Sequence, residues 1–291
     1  SAVILLNGSP VDMTAWLDDC AAVLEKWFAA LEQDADRWFD EEKIEQSLRS
    51  REYFLDMRYK GQNHEIRVPV TMEDMIHHIK PVVKGAPNTF IIGDMPFGSY
   101  NESIEQAIHN ATRLTKETNC DCVKLEGGAT VVETVRAIVK AGVNVMGHIG
   151  LTPQTASSVG GFKVQGGTPE SALQLIKDAQ ALEEAGAFAI VLECVPVGVG
   201  KAVSEAVKVP ILGIGAGPHV DCQVLVTQDL LGMYGDFKPK FVKQFANIRE
   251  QMVAGLNAFH EESLSGAFPT PEYSFNKAVE LPTLYGDGGA K

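Results

Sequence analysis

The amino-acid sequence predicts an α/β fold in which buried parallel strands alternate with helices. Short continuous runs rich in Val, Ile and Leu are typical of strands that are covered on both faces. Segments with helical periodicity separate these runs, and each run ends in a polar or glycine residue. Five such runs are present, at Thr89–Asp94, Cys122–Glu126, Val143–His148, Phe188–Glu193 and Ile211–Gly215.

From Thr71 onward, helices and strands are expected to alternate regularly. Thr71 followed by Asp74 is close to a capping box, which indicates that the first of these helices begins at Met72. A weaker sixth strand is predicted at Val224–Thr227, and a helix at Lys240–Leu256. The helices predicted between the strands are Met72–Lys84, Ser103–Lys116, Thr130–Ala141, Pro169–Ala185 and Gly200–Ala206.

The number of strands decides which α/β architecture fits. Six strands after residue 70 are two fewer than a closed eight-stranded barrel requires, and the strand candidates at 2–7 and 53–58 would supply the missing pair. The alternative is an open doubly wound sheet, but no GxGxxG turn follows the first strand. We therefore predict a (β/α)8 barrel with two regions. Residues 1–70 form an atypical N-terminal segment with up to two strands and a long helix, and residues 71–291 form the barrel domain.

Composition limits the classes of partner. A chain of 291 residues with 45% apolar content can bury a sizeable core, and no apolar run approaches the ~18 residues of a membrane span. The net charge of −13 argues against nucleic acid and anionic membranes as partners. The five cysteines include no CxxC pair, and no signal peptide is recognised, so we expect reduced thiols and a cytoplasmic location.

Chemistry is expected at the carboxyl ends of the strands, because ligands of such folds gather there. These ends carry Asp94, Lys124, Glu126, His148 and Glu193. Three carboxylates, a lysine and a histidine at one edge of a sheet predict an enzyme that acts on a small molecule.

The spacing of these residues suggests individual roles. Asp94 can bind a hard cation through oxygen, and its alternative role as a helix N-cap is weakened because the next helix begins later. Lys124 and Glu126 are two apart on one strand and so share a face. They could form a structural salt bridge, but a buried bridge stabilises poorly, which favours a functional site.

His148 leaves two readings open, a core histidine or a site residue. It leads into the long glycine-rich loop Gly150–Thr168, whose length is typical of a lid or an assembly contact. Glu193 ends another buried strand, and a carboxylate held against apolar walls is suited to proton transfer.

The segment from about Val68 to Phe275 resembles the ketopantoate hydroxymethyltransferase (3-methyl-2-oxobutanoate hydroxymethyltransferase) family. The matching stretches occur in the order of the family, which makes the resemblance far more specific than any single motif. They are VTMEDMIHH, GDMPFGSY, VKLEGG, GHIGLTPQ, GGFKVQG, LECVP, ILGIGAG, DLLGM, PKFVK and FPTPEYSF.

The resemblance implies a (β/α)8 barrel of the phosphoenolpyruvate/pyruvate type, a homodecamer and Mg²⁺. It also implies transfer of a hydroxymethyl group from 5,10-methylenetetrahydrofolate to 3-methyl-2-oxobutanoate, which gives 2-dehydropantoate in pantothenate biosynthesis. The expected partners are therefore a small 2-oxo acid, the folate and further copies of the chain, with no nucleic acid or membrane.

Roles follow from the matching motifs. Asp94 looks like a metal ligand, and Glu126 resembles a metal-side carboxylate that acts directly or through water. Lys124 resembles the lysine that binds the keto-acid carboxylate or the developing enolate, and His148 resembles a substrate-contacting histidine. Glu193 looks like the general acid/base at the transferred carbon. The chemistry is consistent, because a divalent ion chelated by the keto acid stabilises the charge of an enolate.

The amino terminus departs from the family pattern. The TAYD-like segment and the VGDS motif of the family, whose Asp is a metal ligand, are both missing. Residues of about 14–70 instead resemble a segment of the hydantoinase A/oxoprolinase family. Either a foreign segment replaces the first two strands, or 2–7 and 53–58 are diverged strands in which Asp56 replaces the missing ligand. Two other functions stay open: a Mg²⁺-dependent lyase or mutase of the same superfamily, and an inactive structural homologue.

Overall fold

The structure is a computed structural model that describes residues 69–156, 161–233 and 238–278. The predicted strands at 2–7 and 53–58, the long N-terminal helix and Asp56 lie outside the described residues. The domain boundary at residue 70 therefore stays a prediction.

The described strands form one six-stranded parallel sheet whose spatial order is the same as the chain order. A helix or turn follows each of the first five strands, and this arrangement is that of a (β/α) barrel, because a doubly wound sheet reverses its strand order. The predicted α/β barrel class is confirmed, and the described strands are six of the eight that such a barrel contains. They are β1 Ile92–Asp94, β2 Cys122–Lys124, β3 Val145–Gly150, β4 Ala189–Glu193, β5 Ile211–Ile214 and β6 Cys222–Gln223.

The helices begin where the sequence supplies capping groups. Thr71 Oγ1 accepts a hydrogen bond from the backbone N–H of Asp74, whose carboxylate accepts one from the N–H of Thr71, so the predicted capping box is confirmed. Thr168 and Ser171 form the same reciprocal pair, with Pro169 in the first turn. The helices are α1 Met72–Gly85, α2 Ile104–Thr118, α3 Val132–Lys140, α4 Pro169–Ala185, α5 Val197–Ala206, α6 Thr227–Leu230 and α7 Ile248–Ser265.

Two predicted elements near the carboxyl terminus are wrong in position. The sixth strand pairs at Cys222–Gln223, and Thr227 already begins α6. The last helix begins at Ile248, eight residues later than the predicted Lys240. The reason is that backbone N–H groups just before and at the start of this helix, including those of Phe245 and Ile248, donate to carbonyls of residues 230–232.

The core occupies both faces of the sheet, as the continuous apolar runs predict. Along β4, Ile190 and Leu192 pack against the helices, while Val191 between them packs in a separate cluster on the other face. This alternation follows from the period of two residues in a strand. The inner cluster consists of Cys122, Met146, Ala189, Val191, Leu212, Ile214 and Val224.

Helix α7 differs from the other long helices because residues 249–265 are all exposed. Its exposed residues include Met252, Leu256, Phe259 and Leu264, which are 53%, 67%, 58% and 76% exposed. Among the described helices, none combines the length and the hydropathy that crossing a bilayer would require.

Candidate active site

The five residues predicted from the strand ends lie at one edge of the sheet. Asp94, Lys124 and Glu193 are the last residues of β1, β2 and β4, His148 lies inside β3, and Glu126 follows β2. Adjacent strands keep them level, because Asp94 is in register with Lys124 and Gly150 is in register with Glu193. We call these five residues the strand-end cluster.

Lys124 lies at the centre of this cluster. Its Nζ is 2.8 Å from Asp94 Oδ1, 3.7 Å from Glu126 Oε1 and 3.2 Å from His148 Nδ1. The contact with Asp94 is a close ion pair to a buried carboxylate oxygen. Burial would lower the pKa of Lys124, but Asp94 and Glu126 outweigh it and raise the pKa above its ordinary value. The ammonium group therefore stays charged.

His148 joins the two halves of the cluster. Its Nδ1 lies 3.8 Å from Glu126 Oε1, and its Nε2 lies 3.3 Å from Glu193 Oε2. The latter distance suits an ion pair, but Nε2 has no hydrogen-bond partner of acceptable geometry and is buried. The side chains of His148 and Glu126 are each 4% exposed, and that of Glu193 is 14% exposed. His148 is therefore buried and also in contact with the other cluster residues, and its role at the site stays a prediction.

Glycines hold the backbone of the cluster in place. Gly150 has a φ of +88°, and an added Cβ would lie 2.2 Å from the carbonyl oxygen of Glu193. The N–H of Gly127 donates to the carbonyl of His148 (2.9 Å), so β2 and β3 remain joined beyond Lys124. Close approach of two backbones explains why Gly150 ends the strand.

Sequence reasoning missed two residues beneath the cluster, Tyr100 and Gln154. Both are buried, and both contact Glu126. The available signal was their position inside the stretches GDMPFGSY and GHIGLTPQ. Tyr100 precedes Lys124 and Glu126 in the sequence, and Gln154 follows them.

Two residues of the cluster could hold a divalent cation. Asp94 and Glu126 offer the carboxylate oxygens that hard cations prefer, and the 42% exposed side chain of Asp94 is accessible to an ion. In the part of the chain that the structure describes, no group of three or more His, Cys, Asp or Glu side chains is arranged for a metal. Further ligands would have to be water, substrate or residues outside that part, which suits Mg²⁺ because it usually keeps several waters.

A cavity of about 240 Å³ opens where β5 and β6 end. It is lined by Gly215, Gly217, Gln223, Val224, Leu225 and Phe241. Because β5 pairs with β4, this cavity lies on the Glu193 side of the cluster.

Comparison with known proteins identifies the family. The family model described as ketopantoate hydroxymethyltransferase matches residues 55–271. The chain belongs to the ketopantoate hydroxymethyltransferase family. The resemblance predicted over about 68–275 is therefore confirmed, and the match extends to residue 55, so it includes Asp56. Nothing in the comparisons supports the predicted likeness of residues 14–70 to hydantoinase A/oxoprolinase, and the match from residue 55 overlaps that segment.

The chain aligns with most of the length of its curated relatives. A 3-methyl-2-oxobutanoate hydroxymethyltransferase from Heliobacterium modesticaldum is 56% identical over 222 residues, which is 76% of this chain and 80% of that protein. Relatives of the same name from Clostridium botulinum (strain 657) and Enterococcus faecalis are 54% and 52% identical, over 73% and 76% of this chain and 77% and 81% of those proteins.

Solved structures with a likeness to the chain include proteins of low sequence identity. A phosphonopyruvate hydrolase covers 71% of this chain and 74% of its own, with 14% identity and a TM-score of 0.42. A likeness at this level carries no argument about fold or function here.

Proposed function

We propose that the chain is a 3-methyl-2-oxobutanoate hydroxymethyltransferase. It would transfer a hydroxymethyl group from 5,10-methylenetetrahydrofolate to C3 of 3-methyl-2-oxobutanoate, which forms 2-dehydropantoate for pantothenate synthesis in the cytoplasm. The observation that carries the proposal is the strand-end cluster, in a chain that belongs to this family. Its buried ammonium group lies among carboxylates, with a histidine next to a further glutamate.

Lys124 and His148 are proposed to bind the 2-oxo acid. The ammonium group of Lys124 is buried and charged, so it can pair with the substrate carboxylate or with the oxygen that becomes negative in an enolate. His148 Nε2 has no hydrogen-bond partner in its buried position, which makes it available to a substrate oxygen. Exclusion of water from the cluster strengthens both interactions.

Asp94 and Glu126 are proposed to hold Mg²⁺. When bound, the ion supplies positive charge at the keto oxygen and so favours removal of the neighbouring C3 proton. Asp94 is the more accessible of the two, since its side chain is 42% exposed whereas that of Glu126 is 4% exposed.

Glu193 is proposed to move the proton. Water first breaks both C–N bonds of the folate methylene, which releases tetrahydrofolate and leaves the one-carbon unit as formaldehyde. The Glu193 carboxylate takes the C3 proton, the electron pair of that C–H bond moves towards the keto oxygen, and C3 then attacks the formaldehyde carbon. Glu193 lies beside His148, with its side chain 14% exposed, more than those of His148 and Glu126. The proton that Glu193 took passes to the former formaldehyde oxygen, which becomes the hydroxyl of the product.

We also propose that the enzyme is a homo-oligomer, a decamer by resemblance to the family. The exposed apolar residues of α7 support association with further copies of the chain, because a contiguous apolar surface is uncommon on a monomer.

Deuterium exchange tests the proposed activity. In D₂O, the native protein should replace the C3 hydrogen of 3-methyl-2-oxobutanoate by deuterium only when Mg²⁺ is present, as followed by proton NMR. With the folate added, 2-dehydropantoate should form. Absence of exchange by native protein, in spite of Mg²⁺ binding in calorimetry, would contradict the proposal. Release of formaldehyde without folate would indicate a lyase instead.

A further inference from the structure

Three loops of the site meet at one buried pair of side chains, Tyr100 and Gln154. Tyr100 lies in the loop after β1, Glu126 in the turn after β2, and Gln154 in the short 3₁₀ turn Pro153–Thr155 after β3. These loops carry or adjoin the two proposed metal-side carboxylates. Tyr100 and Gln154 are 3% and 8% exposed, so their polar groups need partners inside the protein.

Gln154 uses both its backbone and its side chain to connect these loops. Its backbone N–H donates to Glu126 Oε2 (2.9 Å), and its side-chain Nε2 donates to the carbonyl of Met95 (2.8 Å), the residue directly after Asp94. Its Oε1 accepts a hydrogen bond from the Tyr100 hydroxyl (2.7 Å). One residue therefore connects the segment after Asp94, through its side chain, to the carboxylate of Glu126, through its backbone N–H.

Tyr100 completes the connection from the other side. Its hydroxyl oxygen accepts a hydrogen bond from the backbone N–H of Glu126 (3.2 Å) while its proton is directed to Gln154. Burial and the nearby Glu126 carboxylate raise the pKa of this hydroxyl well above its ordinary value, so it remains a donor.

We propose that Gln154 and Tyr100 are positioning residues that fix the Glu126 carboxylate, with Oε2 held by the protein and Oε1 presented to the site. Glu126 Oε1 is the oxygen that lies near both Lys124 and His148. The inference depends on the proposed function in one respect, that Glu126 Oε1 faces a bound Mg²⁺. Groups that orient a metal ligand in this way typically change metal affinity by 10–100-fold when they are removed.

The first test measures, in metal-free protein, whether Tyr100 and Gln154 hold Glu126 in place. Hydrogen exchange followed by mass spectrometry should show that the backbone N–H at position 154 exchanges about tenfold faster in Tyr100→Phe and in Gln154→Ala than in native protein. Amides of α4 should be unaffected, which excludes global destabilisation. Gln180→Ala, which removes an exposed glutamine of α4, is the matched control and should change nothing. Unchanged protection at Gln154 in both variants would overturn the proposal.

The second test measures the consequence for the ligand. Calorimetric titration with Mg²⁺ should give a Kd about tenfold higher in Gln154→Ala. Adding Tyr100→Phe to that variant should raise the Kd by less than Tyr100→Phe alone does, because one of the hydrogen bonds of the hydroxyl goes to Gln154. A Kd within twofold of native protein, or losses that multiply, would overturn the positioning role. If native protein binds no Mg²⁺, the proposed function fails. The hydrogen-exchange experiment still decides whether Tyr100 and Gln154 hold Glu126 in place.

Discussion

The strand-end cluster and α7 depart from the usual distribution of side chains in opposite directions. The cluster buries polar and ionisable groups, with Glu126 and His148 almost inaccessible, whereas α7 exposes Leu256 and Phe259 to more than half of their surface. Folded chains usually expose charge and bury large apolar side chains. Each region therefore costs stability in the isolated chain.

The difference indicates what each region contacts in the working protein. Buried charges at strand ends are compensated by one another, and they are retained where a small charged ligand has to be bound. Exposed apolar residues along a helix are compensated only when another surface covers them. Variants in the two regions should therefore affect different measurements, activity for the first and assembly for the second.

The largest effect is expected from Glu193→Gln. Loss of the proposed general base should slow deuterium exchange at C3 by about 10³-fold, while the oligomeric state stays native. Glu205→Gln is the matched control, because Glu205 is an exposed glutamate of α5 paired only weakly with Lys201. Exchange within tenfold of the native rate would show that Glu193 is not the base.

Lys124→Met should destabilise the fold. Removing the ammonium leaves Asp94 and Glu126 without their nearest positive charge, so the free energy of unfolding should fall by about 3 kcal/mol in urea denaturation. Mg²⁺ should restore part of this loss, since a ligand that binds only the folded state stabilises it.

Lys201→Met provides the comparison, because the Lys201–Glu205 pair is exposed and its loss should cost less than about 0.5 kcal/mol. Equal effects of the two lysine variants would remove the energetic distinction between the cluster and an ordinary surface pair.

Gly150→Ala should perturb the cluster through the backbone. Its Cβ would collide with the carbonyl of Glu193, so we expect a loss of about 2 kcal/mol and reduced activity as Glu193 shifts. Gly142 has a similar φ of +90° with open space around it, so Gly142→Ala should cost only the backbone strain, about 1 kcal/mol. Thermal denaturation of both variants checks this, and a larger loss at Gly142 would contradict the steric argument.

Leu256→Asp is the matching change in α7. It should leave C3 exchange per folded chain close to native but weaken self-association by about tenfold, which corresponds to about 1.4 kcal/mol. Light scattering over a dilution series measures the association. Ser263→Asp, a polar position of the same helix, serves as the control. Native assembly of the Leu256 variant would show that this face of α7 is not an interface.

The alternation of strands and helices was predictable because apolar runs ended at polar residues. The predicted ends at Asp94 and Glu193 coincide with the ends of β1 and β4, and Pro169–Ala185 is predicted without error. Buried parallel strands have this clear pattern because both faces exclude polar side chains. All five predicted site residues lie together for the same reason.

Contacts between distant loops were not predictable. The Gln154 amide reaches a carboxylate 28 positions earlier, and its side chain reaches a carbonyl 59 positions earlier. Neither spacing has a periodic signature, since it depends on how the loops pack. The late start of α7 has a similar cause, because distant carbonyls take the backbone donors that a longer helix would have used.

Sequential strand order also has a consequence for the timing of folding. Each described strand after β1 pairs with the strand synthesised before it. The growing chain therefore adds the cluster residues one strand at a time, from β1 to β4. The cluster residues lie between positions 94 and 193, and a nascent chain released only that far already contains all of them. Domains generally fold from the amino terminus during synthesis. The residues of the strand-end cluster are therefore synthesised before α7 and its exposed apolar side chains.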